Sequence, residues 1–495
     1  MKKPQLTRRQ LLSGLGVSLT GGLSFLAARP RPAAGAPAPE PYFLIMIGAA
    51  GGASIIDSFL AIRHSECTNW QGTNTFPDAV VSDVQNTPFR AVNMSFDGVG
   101  QLRYPFTTDQ AAFVRNHSEN MMVSCYMCSS VNHRIAQQRA MNGDDAWRGR
   151  TLPEAVASAY GQNYPLPSVN MSFDGYFDRG HDATVPTFAY HVPVTDAPSW
   201  PMGLDGMRGV LDVPSRDLLM EARALRNSVL DQSSPFGRTF SKSERLKLWE
   251  EQRGPSLERL EQADLITRLM MLEDGPNRQL SRYGLLESPD GQRVRERFPN
   301  LLTDPLQAKA ALAFLLIKNR VSCAVTFSST FATLIEGNRL SNPPLGFDFA
   351  HTIHRPTQAL MWSNVLSVID GLVRLLRDEP YNEATGESFF DRTLIYVATE
   401  FGRMKRREGG SDTFGTGHDL FNGVLMVSPL VNGNRVLGGV DRQTGISHGF
   451  DGESGDPRPM AQTPEREIYA GVLHALRVDT TGSGLPDMRA MRRRA

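Results

Sequence analysis

The sequence predicts an α/β protein, a three-layer α/β/α sandwich around a doubly wound, mainly parallel sheet with a helical insertion. Three observations predict it. Continuous apolar runs of strand length recur at Tyr42–Ile47, Met121–Ser124, Val321–Phe327, Leu394–Ala398 and Val424–Val427. Capped or amphipathic helical stretches lie between them. The runs empty into polar loops that carry an acid or a histidine, the placement that ligand sites take beyond the strand ends of an open sheet.

The chain has 495 residues and balances 52 Lys+Arg against 52 Asp+Glu, so no overall field draws it to nucleic acid. Met1-Lys2-Lys3 and Thr7-Arg8-Arg9-Gln10-Leu11-Leu12 lead into a Gly/Leu/Ser/Ala stretch to about Ala28, then a Pro/Ala segment over Arg29–Pro39. That is the layout of a twin-arginine export signal, with residues 1–38 as signal and linker. The expected location is periplasmic or extracellular, and the export machinery is an expected partner. The apolar run is short and rich in glycine, against a spanning helix, and no other stretch reads as long enough to span a bilayer.

Folding before export favours proteins built around a metal or cofactor. An oxidising destination bears on Cys67, Cys125, Cys128 and Cys323. Cys125-Tyr126-Met127-Cys128 spells CxxC, but it follows a strand rather than opening a helix, where a redox thiolate is stabilised. Buried or disulfide-bonded structural cysteines are expected, with a redox centre as the weaker reading.

Taken in order, the first strand, Tyr42–Ile47, ends in a glycine-rich turn, Gly48 to Gly52, that brings Asp57 just behind it. Neither GxGxxG nor GxxxxGK[ST] follows, which removes a nucleotide-binding reading. Thr107–Asn116 reads as a helix and Met121–Ser124 as a strand. Ser129 to Gly143 follows as a polar segment turning helical, closed by Gly143. His133 and Arg134 then sit near a helix N-terminus, where an anion is favoured. Thr151-Leu152-Pro153-Glu154 is a capping box that opens a helix through Tyr160. The string VNMSFDG occurs at Val92–Gly98 and again at Val169–Gly175, read as two equivalent strand-and-turn pieces that pair.

Charged helix formers dominate from about 213 to 290, with a second capping box at Ser241–Glu244 and helical spacing over Leu257–Leu272, a helical insertion. A helix from Pro305 to Lys318 then feeds the strand Val321–Phe327. The following loop ends in Asp348, His351 and His354, and a helix over Pro356–Arg377 returns the chain to the strand Leu394–Ala398. That strand delivers Glu400 into a basic, glycine-rich loop, and His418 precedes the strand Val424–Val427. A last helix spans Pro464–Leu476 after a cap at Thr463, which closes a domain over 39–480, and residues 481–495 read as a disordered basic tail. The alternation places Asp57, His133, Asp348, His351, Glu400 and His418 along one rim. Carboxylates with imidazoles there compose a site for one or two divalent ions such as zinc or manganese.

Five stretches carry a family resemblance: the twin-arginine start, GGASIIDSF, NHRIAQQRAMNG, LAFLLIKNRVSCAVTF leading to GFDFAH, and TEFGR through GHD to GGVD. They span nearly the whole mature chain. In them the chain resembles the exported bacterial family called domain of unknown function fifteen-oh-one, which is similar to the alkaline phosphatase and sulfatase superfamily. The resemblance implies an alkaline-phosphatase-like fold and two divalent metals held by Asp and His. It also implies a nucleophile at a helix N-terminus that attacks a phosphate or sulfate ester. By the resemblance, Asp57, Asp348, His351, Glu400 and His418 are metal ligands, with Arg134 and the helix N-terminus clamping the ester oxygens.

Three departures from the pattern are visible. The nucleophile position holds His133 rather than Ser, Thr or Cys. Asp348 and His351 stand one residue further apart than Asp-x-His, which leaves His354 as a competitor. The usual glycine-arginine-aspartate-histidine run is Gly410-Ser411-Asp412-Thr413, with His418 arriving later. The expected function is hydrolysis of a small-molecule phosphate or sulfate ester. The alternative is a non-catalytic exported binding or assembly protein of the same fold, acting on an envelope component.

Overall fold

A computed structural model describes residues 40–93, 101–102, 108–203, 214–243, 246–247, 265–275, 280–281, 287–329, 335–336, 346–407 and 414–493. The expected signal over residues 1–38 lies outside them, as do residues 94–98 of the first VNMSFDG copy, Glu244 of the second capping box, residues 257–264 of the stretch Leu257–Leu272, and the run 410–413.

The strands of the central sheet are β1 (Phe43–Ala49), β2 (Met121–Met127), β3 (Ser168–Met171), β4 (Val192–Pro193), β5 (Ala324–Ser328), β6 (Thr393–Thr399), β7 (Phe421–Val427) and β8 (Arg435–Leu437). They form one eight-stranded sheet in the order β8-β2-β7-β6-β1-β5-β3-β4. β1 pairs in parallel with β6 and β5, and β3 with β5 and β4. Only β7 runs against its neighbours, β6 and β2. Its reversed direction brings its N-terminal end, and so His418, to the edge where the parallel strands finish.

β1 and β6 are buried along their whole length, so both read as continuous apolar runs rather than alternating ones. Helices cover the sheet in two groups. α1 (Gln110–His117), α4 (Pro305–Lys318) and α5 (His354–Arg377) form one, in which α5 touches both others. α2 (His133–Asn142), α3 (Leu152–Tyr160) and α6 (Glu465–Ala475) touch one another and form the second. The result is the three-layer α/β/α architecture the sequence predicts. Caps fall where local chemistry puts them: Thr151 with Glu154 closes a capping box on α3, and Gly143 ends α2 at φ +65°.

α5 is long and apolar enough to cross a membrane, the one such helix among the described residues, but 72% of its most apolar window is buried inside the protein. The insertion contributes short helices at Arg216–Leu225, Pro235–Phe240 and Leu265–Leu269.

Several expectations change. The VNMSFDG copies do not pair with each other through their described residues. Val92 pairs with Val81 in a small ribbon, and Val169 with Val325 and Val192 in the main sheet. Thr463 does not cap α6; its Oγ1 accepts from Phe450 N at 3.2 Å, and Pro464 stands at the cap position. The basic tail is not loose over residues 481–493. Met488, Ala490 and Met491 are buried and Arg493 N donates to Leu430 O at 2.8 Å, because apolar residues interleave with the arginines.

Candidate metal centre

The site is assembled at the carboxyl ends of β1, β2, β5 and β6. Glu400 directly follows β6 and is fully buried. Its Oε1 accepts from Gly51 N, in the turn that follows β1. Gly51 and Gly52 have φ of +94° and +78°, and a Cβ on Gly52 would lie 2.6 Å from the Phe401 ring, so this turn requires glycine. Gln137 Nε2 donates to Glu400 Oε2 at 2.7 Å, and Gln137 Oε1 accepts from Gly175 N at 2.9 Å. His133, the first residue of α2, faces Glu400 Oε1 through Nδ1 at 3.2 Å.

Asp348 and His351 lie on the short 3-10 turn Gly346–His351 after β5. His418 pairs with Arg403 in a two-strand ribbon, Gly402–Arg403 with His418–Asp419. The ligand atoms of His133, Asp348, His351 and His418 lie within 4.8 Å of one another. Asp348 Oδ1 stands 3.4 Å from His133 Nε2, 3.2 Å from His351 Nε2 and 3.9 Å from His418 Nε2, and the last two nitrogens are 2.8 Å apart. A tetrahedral ion with bonds of about 2.0–2.1 Å holds its ligand atoms about 3.4 Å apart. These separations bracket that value.

In two of the three histidines, His418 and His133, the other ring nitrogen is engaged as metal-ligating histidines require. His418 Nδ1 donates to Val131 O at 2.8 Å, which in the neutral ring leaves a lone pair at Nε2. His133 Nδ1 donates to the Glu400 carboxylate, so Nε2 is the atom turned toward Asp348. The donor set, three imidazoles and one carboxylate, suits a divalent ion such as zinc or manganese.

Burial pulls His133 downward, but its hydrogen bonds to Asp348 and Glu400 outweigh that and push it up to about 9. Burial raises Asp348, yet His133, His418 and the Arg403 guanidinium hold its carboxyl well below the usual range. His351 is lowered by burial and by Arg403. Each shift marks charge already concentrated at this point.

Asp57 does not join this group. Its Oδ1 accepts from Asn74 Nδ2 at 2.6 Å, and its Oδ2 lies 3.3 Å from both Lys405 Nζ and His354 Nε2. His354 Nδ1 meets Thr416 Oγ1 at 2.9 Å. Of the two competing histidines, the structure therefore sets His351 beside Asp348 and His354 beside Asp57. Glu400 touches His133 but stands behind it. Arg134 is exposed and paired with Asp178, Nε to Oδ2 at 3.2 Å and Nη2 to Oδ1 at 3.1 Å.

Sequence reasoning missed Arg403, Lys405, Gln137 and Asn74. Arg403 is fully buried; its Nη2 donates to Asp348 Oδ1 at 3.2 Å and to Gly51 O, and its Nε to Gly52 O at 3.3 Å. Arg403, Lys405 and Arg407 are buried while Met404 and Arg406 between them are exposed, an alternation with cations on the inner face. Period-two spacing of basic residues beside a known acid is the signal that would have found them.

The four cysteines are free and buried. Burial pushes the Cys125 thiol up to about 12 and raises Cys128 as well, which opposes a redox thiolate.

No family model, no curated protein and no solved structure matches this chain. The mixed α/β fold and its His/Asp cluster are consistent with the broad alkaline phosphatase and sulfatase superfamily.

Proposed function

We propose that the chain is an exported metal-dependent hydrolase of phosphate or sulfate esters, of the family called domain of unknown function fifteen-oh-one. One observation carries the reading: three histidines and Asp348 converge on a volume fit for one divalent ion. When bound, the ion would supply Lewis acidity toward an ester oxygen. His133, Asp348, His351 and His418 hold the site. Glu400 orients His133, with Gln137 and Gly51 N fixing the carboxylate. His133 has Glu400 at one ring nitrogen and Asp348 at the other, which favours a ligand role for it over a covalent one. Arg134, exposed at the same helix end, is available to an ester anion in exchange for Asp178.

The export reading rests on the twin arginines and on four thiols buried inside the fold, protected if folding precedes arrival in an oxidising compartment. Replacing Arg8 and Arg9 by lysine should retain the protein in the cytoplasm.

The activity test is a screen of phosphate monoesters, phosphate diesters and sulfate esters. Turnover should disappear on chelation, return with zinc or manganese, and be lost in His418→Ala. Stoichiometric metal without turnover of any ester class would favour the non-catalytic binding protein, for which His133 in the nucleophile position speaks.

A further inference from the structure

The resemblance implies two metals, but the second carboxylate and histidine pair, Asp57 with His354, already surrounds a cation of the protein's own. We propose that this chain holds a single divalent ion, at His133, Asp348, His351 and His418, and that the Lys405 ammonium stands in place of a second. The inference rests on the metal-centre reading above and adds to it the number of ions and the role of Lys405.

The argument is one of charge, saturation and access. Lys405 Nζ lies 3.3 Å from Asp57 Oδ2 and 3.3 Å from Ser54 Oγ. The Asp57 oxygens are further occupied by Asn74 Nδ2 and faced by His354 Nε2. His354 Nε2 lies 2.9 Å from Asn74 Nδ2 and 3.3 Å from Asp57 Oδ2, and its Nδ1 lies 2.9 Å from Thr416 Oγ1, so both ring nitrogens already have protein partners. With one carboxylate, one ammonium and an imidazole that burial keeps toward its neutral form, the group is balanced. A divalent ion added to it would leave two uncompensated charges in a dry interior.

Every member is buried: Ser54, Asp57, Asn74, His354, Lys405 and Thr416. An ion therefore has no open approach to Asp57, whereas His351 in the other group has a side chain 42% exposed. Two further buried cations adjoin the group, Arg403, whose Nη1 donates to Thr416 O at 3.2 Å, and Arg355, which donates to Thr75 O, and both add positive charge. His354 completes the contrast. It lies three residues beyond His351 and turns its ring inward to Asp57 rather than outward to Asp348.

The test is an ion count on the mature chain, saturated separately with zinc and with manganese, passed through a desalting column and measured by elemental mass spectrometry. One ion per chain is expected in the wild type, still one in Asp57→Asn, and none in His418→Ala. Two ions per chain in the wild type would overturn the inference while leaving the metal centre intact. So would loss of the ion in an Asp57→Asn protein that keeps its native circular dichroism. No ion in the wild type would remove the metal centre and this inference together. Should Asp57→Asn not fold, the wild-type count decides alone.

Discussion

Two groups of carboxylates and imidazoles stand side by side, joined by the single turn between His351 and His354, and they solve opposite problems. In the open group, three histidines and Asp348 crowd into a partly exposed space, and like partners face one another: His351 Nε2 meets His418 Nε2 at 2.8 Å. Such an arrangement invites a cation. In the closed group, Asp57, His354, Asn74 and Lys405 are buried and each strong charge has an opposite partner. The same residue types thus make a candidate metal centre where they stand partly open and a structural lock where they are sealed in. Each acid has a buried cation beside it, Arg403 at Asp348 and Lys405 at Asp57, so what separates the groups is access and the number of imidazoles turned toward the acid.

The comparison can be broken most directly at Lys405. Lys405→Met should cost about 3–5 kcal/mol in urea denaturation, because it strands the Asp57 carboxylate in the interior. Adding Asp57→Asn to it should recover much of that loss, and a single variant costing under about 1 kcal/mol would refute the lock. His418→Ala should behave in the reverse sense. It should weaken metal binding by more than about 100-fold, judged against the losses that outer-shell changes alone produce. Its metal-free stability should fall far less than that of Lys405→Met.

A smaller effect is expected one step back. Glu400→Gln keeps the shape but replaces one carboxylate oxygen that accepts from Gly51 N or Gln137, and metal affinity measured by chelator competition should fall about 10–100-fold.

Acidity separates the two groups further. His133 rises from 6.5 to about 9 on folding, so in metal-free protein its contribution to stability is fully present below pH 6.5 and lost as pH rises through about 9. Metal binding requires its Nε2 deprotonated, so affinity should climb over the same window. Asp57 is depressed: burial raises it, but Lys405 and His354 outweigh that. Its contribution is present above the ordinary value of 3.8 and lost as pH falls into acid. Asp348, depressed likewise, shares the acid limb, whereas the alkaline limb belongs to the open group and should vanish in His133→Ala. Chemical denaturation across pH reads both limbs. The least effect is expected at the exposed Arg134, where Ala should change stability by no more than about 0.5 kcal/mol and leave the ion count untouched.

Much of this architecture is written in local pattern. Apolar runs mark β1, β2, β5, β6 and β7, the Thr151/Glu154 box starts α3 where it stands, and Pro305 opens α4. Such signals act between near neighbours along the chain, so they survive being read without a fold. The rim residues were legible for the same reason, since strand ends and loops were identifiable. Their partition was not.

The sequence by itself determined the layered α/β plan, the strand-end positions of Asp57, His133, Asp348, His351, Glu400 and His418, and the choice of glycine at positions 51 and 52. Tertiary structure decided which acid each histidine faces, that β7 runs backward to bring His418 in, and that Arg403 and Lys405 turn inward. A basic residue after a strand is ordinarily a solvated one. It is buried here only because Asp348 and Asp57, distant along the chain, arrive beside it with opposite charge, and that meeting is a property of the folded sheet alone.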